Sequence, residues 1–186
     1  MIITYQGEDS FKISQGDLTI AINPRSKISA DITIFSTGRD EISQKSGFVI
    51  DGPGEYEVKG VFIKGFLSEG KDRLNTLYIM NYESMKLCYL GNIYNPVLDN
   101  KVLEAIEDID ILFVPSGSTN VLDPASAYKL AVSLEPAIII PMKYTKETLD
   151  QFNKEGGAKP EVLDKLVIKK KDLEGKEGEI IVLSRE

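Results

Sequence analysis

The octapeptide Phe35-Ser36-Thr37-Gly38-Arg39-Asp40-Glu41-Ile42 places two hydroxyls, a guanidinium and two carboxylates directly after an apolar run. Carboxylates can serve a hard cation and a guanidinium can serve an anion, but the same residues also suit an ordinary solvated loop. Imidazole chemistry is excluded throughout, because the 186-residue chain contains no histidine. Its single cysteine, Cys88, lies in the strand-like run Lys86-Leu87-Cys88-Tyr89-Leu90 and lacks the histidine base a thiol nucleophile would want. It reads as a buried core residue.

The bulk properties narrow the classes. With 42% hydrophobic and 27% charged residues the composition is that of a globular protein, and the length suits one domain spanning 1–186. A formal charge of −7 disfavours nucleic acid. The run Lys169-Lys170-Lys171 is followed by Asp172 and Glu174 and reads as a solvated strand end or turn. One cysteine cannot form an internal disulfide. No apolar stretch approaches the roughly 20 residues of a membrane span, and the N-terminus lacks the features of a signal peptide, so the expected location is cytoplasmic.

The elements that would position these residues change in character along the chain. Residues 2–5, Phe11–Ser14, Leu18–Ile22, Asp31–Phe35, Gly47–Ile50, Glu55–Val58 and Val61–Phe66 have strand character. Leu74–Met80 and Lys86–Leu90 flank a turn expected over Asn81–Ser84. After Asn95-Pro96 a helical spacing appears, with Asp99 as cap, followed by a buried strand over Ile109–Val114. Asp123-Pro124 opens a second helix with Ala127, Leu130, Ala131 and Leu134 on its inner face. Ala137–Ile140 reads as a strand covered on both faces. Thr145 caps a third helix that Gly156-Gly157 ends. A short helix is expected near Pro160–Lys165, with strands near Leu166–Ile168 and Glu179–Leu183. Antiparallel hairpins followed by strand–helix–strand crossovers predict a mixed α/β domain.

In that order the pieces resemble the metallo-β-lactamase fold, in the compact branch that includes the ascorbate-phosphate lactonase-like hydrolases. The resemblance rests on the opening Ile3–Phe11, on Ile22-Asn23-Pro24, on Gly52-Pro53-Gly54-Glu55-Tyr56-Glu57-Val58, and on Cys88-Tyr89-Leu90-Gly91-Asn92. It extends over Asp110–Pro115 and Ile138–Tyr144. The resemblance implies an αββα sandwich of two mixed β-sheets flanked by helices. It also implies a dinuclear metal centre, commonly zinc, held by a Thr-His-x-His-x-Asp-His signature and further histidines and an aspartate. Here Thr37, Arg39 and Ile42 stand at histidine positions and Glu41 at an aspartate position. Glu8 stands where the family has a Gly-His histidine, Asn92 replaces the bridging aspartate, and Lys143 replaces the final histidine. One further histidine position falls within Leu67–Gly70. Imidazole is the ligand such a site is built on, whereas Ile42 cannot ligate. Two unit positive charges about 4 Å apart cost roughly 4 kcal/mol at an effective dielectric of 20, so Arg39 and Lys143 would repel an ion. No zinc or other cofactor is expected.

Four uses of such a site follow. The protein could be a non-catalytic binding or scaffold protein serving a small anion or a protein partner. Arg39 and Lys143, with Asn92 as donor, could replace the metal charge and hold a carboxylate or phosphate, in a binding protein or in a rebuilt hydrolase acting on a small anionic or ester substrate; ordinary salt bridging would explain the same residues. Ser116-Gly117-Ser118 could pair with Lys143 in metal-independent hydrolysis, though it is also common loop chemistry. Glu8, Asp9, Asp40 and Glu41 could form a hard-ion site.

Overall fold

The computed structural model describes residues 1–38, 47–117 and 119–186. Strands β1 (Ile2–Gly7), β2 (Ser10–Gln15), β3 (Leu18–Ile22), β4 (Ile32–Ile34) and β5 (Phe48–Ile50) lie in one sheet. Its order is β13-β1-β2-β3-β4-β5, where β13 is Leu166–Val167. The second sheet contains the antiparallel meander β6 (Gly54–Val58), β7 (Val61–Glu69), β8 (Leu74–Tyr82) and β9 (Met85–Tyr89). It continues through the parallel strands β10 (Ile111–Pro115), β11 (Ile138–Met142) and β14 (Glu179–Ile180).

The sequence pattern explains this arrangement. Ile3, Ile13, Ile20 and Ile34 face Ile63, Tyr78, Leu87 and Phe113 in a core between the two sheets, all of them buried. Alternate residues of the second sheet, Leu77, Ile79, Cys88, Leu112 and Ile139, enter a second core. That core is closed by Val102 and Ile106 of α1 (Asn100–Ile106), by Ala127 and Leu130 of α2 (Pro124–Ser133), and by Phe152 of α3 (Lys146–Glu155). The strands β10 and β11 are buried along their whole length because they carry a core on each face. The expected caps form: Asp99 accepts from Lys101 N, Asp123 from the Ala125 and Ser126 amides, and Thr145 and Thr148 cap each other's amides.

Several expectations are corrected. The segment near Pro160–Lys165 is not a helix: β12 (Val162–Leu163) pairs in parallel with β15 (Val182–Leu183), and Ser184 N donates to Leu163 O. A tertiary partner some 20 residues away overrides local propensity there. The expected last strand Glu179–Leu183 divides between two sheets, β14 pairing with β11 and β15 with β12. The turn expected over Asn81–Ser84 contracts to two residues, Glu83 (φ 51) and Ser84 (φ 62), so that Tyr82 pairs with Met85. Both sit at positive φ, a tight hairpin geometry usually signalled by Asn or Gly and here carried by neither. The lysine run, by contrast, is the solvated turn expected: Lys169 to Lys171 are exposed and enter a 3-10 turn, Lys170–Leu173, anchored by buried Leu173.

Candidate functional site

The strands β3 and β4 run parallel, as do β9, β10 and β11, and the loops that follow them converge with the β1–β2 and β7–β8 turns. Such loop ends are where α/β sheets commonly place binding sites. Between them lies a cleft of about 590 Å³. Asp9 enters from the β1–β2 turn, Asn23, Pro24 and Arg25 from the end of β3, and Phe35, Thr37 and Gly38 from the end of β4. Gly70 to Arg73 form its wall between β7 and β8; Asn92, Asn120 and Lys143 follow β9, β10 and β11.

The floor is a chain of polar contacts with Asp9 at its centre. Lys143 Nζ donates to Asn92 Oδ1 at 2.6 Å, and Asn92 Nδ2 donates to Asp9 Oδ2 at 3.1 Å. The Lys143 ammonium also lies 3.8 Å from Asp9 Oδ2, while the Arg25 guanidinium approaches the other oxygen at 3.5 Å. The Asp9 side chain is about 10% exposed, whereas those of Arg25 and Lys143 are 54% and 27% exposed and face the opening.

Buried groups fix this floor in place. Tyr89 OH donates to Asp9 O at 2.7 Å and accepts from Asn23 Nδ2 at 2.9 Å. Burial, reinforced by Asp9, holds the Tyr89 hydroxyl well above its usual pKa, so it remains a neutral donor. Asn23 Oδ1 accepts from Ser36 N, which sets the start of the Thr37 loop. Asn75 Oδ1 accepts from Asn92 N at 2.7 Å. The close turn at Gly91 (φ +64) requires glycine, because a Cβ there would lie 2.2 Å from Asn75 Oδ1. Lys143, itself at φ 56, donates its amide to Glu8 O at 2.7 Å, and Tyr5 OH donates to the same carbonyl. Two left-handed residues, Glu8 and Lys143, are thus locked face to face across the cleft floor.

The sequence-derived site is brought together in part. Thr37, Asn92 and Lys143 line the cleft. Glu8 contributes a carbonyl, but its side chain is exposed and does not line the cleft; its neighbour Asp9 does, and is 7% exposed. Of the Leu67–Gly70 segment, Leu67 to Glu69 complete β7 and Gly70 reaches the cleft. Arg39, Asp40, Glu41, Ile42 and Ser118 lie outside the described residues. Ser116 is fully buried with an unpartnered hydroxyl, and Lys143 Nζ donates to Asn92, so no Ser116–Lys143 pair exists. Cys88 is also sealed in the core, where burial pushes its thiol up to about 12.

Sequence reasoning missed Arg25, Lys71, Arg73 and Asn120. Arg25 directly follows the Ile22-Asn23-Pro24 turn, a signal that was present, whereas Lys71-Asp72-Arg73 reads as any polar hairpin loop. Within the described lining, four basic side chains (Arg25, Lys71, Arg73, Lys143) face two acids, Asp9 and Asp72. The whole chain has 22 basic and 29 acidic residues, so the described lining inverts the charge balance of the molecule.

The donors at the described family positions fit a divalent ion poorly. The two groups standing for a bridging carboxylate and a terminal imidazole are an amide and an ammonium already bonded to each other. Among the described residues no cluster of three or more His, Cys, Asp or Glu side chains could hold a metal.

A model of the β-lactamase superfamily domain matches residues 2–143. A comparison with curated proteins finds none that matches. Among solved structures, a candidate zinc-dependent hydrolase of the metallo-β-lactamase superfamily from Thermotoga maritima is similar, at 29% identity and a TM-score of 0.82 over 98% of this chain and 97% of its own. A candidate metal-dependent hydrolase from Parabacteroides distasonis shares 13% identity and a TM-score of 0.68, covering 97% of this chain and 91% of the other. An isothiocyanate hydrolase from Delia radicum gut bacteria shares 12% and 0.66, covering 100% and 97%. Matched along most of its length and folded as two mixed sheets with three described helices, the chain belongs to the β-lactamase superfamily and carries the metallo-β-lactamase hydrolase fold.

Proposed function

We propose that this protein is a metal-independent binding protein whose cleft holds a small organic anion. One observation carries the reading: four cationic side chains gather at an open cleft on a chain of net charge −7. Gathering like charges is unfavourable unless something offsets it, and among the described lining residues Asp9 and Asp72 offset only part. A phosphate or carboxylate supplies the rest through charge-assisted hydrogen bonds from Arg25, Arg73 and Lys143, with the Asn92 and Asn120 amides adding polar contacts. In this reading the cations do what metal ions do elsewhere in the superfamily: they present positive charge at the same loop ends. Arg39, outside the described residues, is a candidate for the same role on sequence grounds alone.

The test is calorimetric titration with inorganic phosphate and with citrate at low salt, together with metal analysis of untagged protein. Binding that weakens about tenfold in Lys143→Ala and in Arg25→Ala, in metal-free protein, is the expected result. Stoichiometric zinc or iron, or anion binding indifferent to both substitutions, would overturn the reading.

A second reading keeps the superfamily's hydrolytic chemistry in a rebuilt site. The similarity to the Thermotoga maritima protein over nearly the full length of both chains favours it. Turnover of nitrophenyl esters or phosphates that disappears in Lys143→Ala would move it to first place.

A further inference from the structure

The apolar surface beside the cleft deepens the anion-binding reading, and rests on it. Strand pairing sets Leu67 opposite Thr76, Gly65 opposite Tyr78 and Ile63 opposite Met80. Ile63, Tyr78 and Met80 belong to the core between the sheets, so the alternation of β7 and β8 puts Leu67 and Leu74 on that same inner face. Near the hairpin tip, however, the core has ended. Leu67 is 56% exposed and Leu74 is 69% exposed. Between them in sequence are Gly70 to Arg73, the cationic wall of the cleft.

Lys71 fixes that wall. Its ammonium donates to Thr119 O at 2.8 Å and sits over the Tyr94 ring at 5.7 Å, while Tyr94 N donates to Glu69 O. No carboxylate pairs with Lys71 or Arg73 among the described residues. Two cations without a carboxylate partner among the described residues therefore stand beside two exposed leucines on one hairpin, next to a polar cleft.

We propose that the ligand is a soluble amphipathic anion, a short-chain alkyl phosphate or carboxylate. Its head lies in the cleft against Lys71, Arg73 and Lys143, and its tail lies along Leu67 and Leu74. Charge complementarity selects the head, and removal of leucine surface from water selects the tail. The overall charge of −7 opposes docking on an anionic membrane, which favours the soluble source.

The experiment is calorimetric titration of the full chain with inorganic phosphate and with methyl, butyl and hexyl phosphate, with hexanoate as the carboxylate arm. Affinity should rise about two- to fourfold for each added methylene, the upper value being full burial. In the double variant Leu67→Ser, Leu74→Ser, hexyl phosphate should fall to within about twofold of inorganic phosphate. Both positions are exposed, and circular dichroism checks that the variant keeps its fold. A flat series in the unmodified chain, or a rising series that survives in the double variant, overturns the proposal while leaving anion binding intact. Absence of binding by every phosphate and by hexanoate sinks the anion-binding reading as well. Binding to phosphatidylserine vesicles without binding of hexyl phosphate would also overturn it, by assigning the surface to a membrane.

Discussion

Asp9 and Asp110 are both nearly buried, each with a side chain about 10% exposed and a lysine as partner, yet their surroundings differ. Asp110 is saturated. Lys170 Nζ donates to both of its oxygens at 2.7 and 2.8 Å, and Lys86 N donates to Oδ2 at 2.8 Å. It clamps the start of β10 to the C-terminal 3-10 turn and to β9. Asp9 is held more loosely, with Arg25 at 3.5 Å, Lys143 at 3.8 Å and one amide at 3.1 Å, and its cations look into open space. The first arrangement fills its valences with protein; the second leaves cationic capacity facing solvent. Composition alone does not separate a structural ion pair from a site. The distances and the neighbouring void do.

That contrast can be broken from either side. The largest effect is expected at Asp110→Ala, which strands the Lys86 amide and releases the half-exposed Lys170 ammonium to water. A loss of about 2–3 kcal/mol is expected, read by chemical denaturation, with phosphate affinity within twofold of the parent. A cost below about 1 kcal/mol would mean that the clamp is ornamental. Next, Lys143→Ala should weaken phosphate binding about tenfold, about 1.4 kcal/mol, with a smaller change in stability. An equal loss of both would make Lys143 another Asp110.

Asp9→Asn removes the acid and keeps its shape. The amide can still accept from Asn92, but one negative charge leaves a cationic cleft, so phosphate affinity should rise about three- to tenfold at low salt and the gain should shrink in high salt. A fall in affinity would show that Asp9 acts mainly by positioning Arg25 and Lys143.

The smallest effect concerns a surface pair outside both regions. The Lys59 hydrogen bond, aided by the Thr19 amide, holds the Asp31 carboxyl below its usual pKa. Because the folded pKa is depressed, the contribution is present above the unfolded value of about 4 and is lost as pH falls through the folded value. Asp31→Asn should therefore lower thermal stability slightly at pH 7, and the difference should shrink as pH falls below about 4. A difference that persists in acid would assign the effect to packing instead.

Much of the fold was legible because it rests on local signals. The helix caps at Asp99, Asp123 and Thr145 and the continuous apolar runs of β10 and β11 all come from short-range preferences. The failures have non-local causes. Val162–Leu163 became a strand because Val182–Leu183 was there to pair with it, and the Glu83-Ser84 turn carries neither Gly nor Asn. Among the site residues, Thr37, Asn92 and Lys143 could be placed by position along the chain. Lys71 and Arg73 could not, since nothing near a polar hairpin says which face or which cavity it will border.

The sequence by itself settled the absence of imidazole: a chain without histidine cannot build a histidine-held metal centre, whatever its shape. It also gave away the strands and helices up to α3, because apolar period and capping act within a few residues. Folding was needed to bring Asp9 rather than Glu8 into the cleft, and to gather Arg25, Lys71, Arg73 and Lys143 there. Charge acts through space, across loops more than 100 residues apart in sequence but joined at one edge of a sandwich.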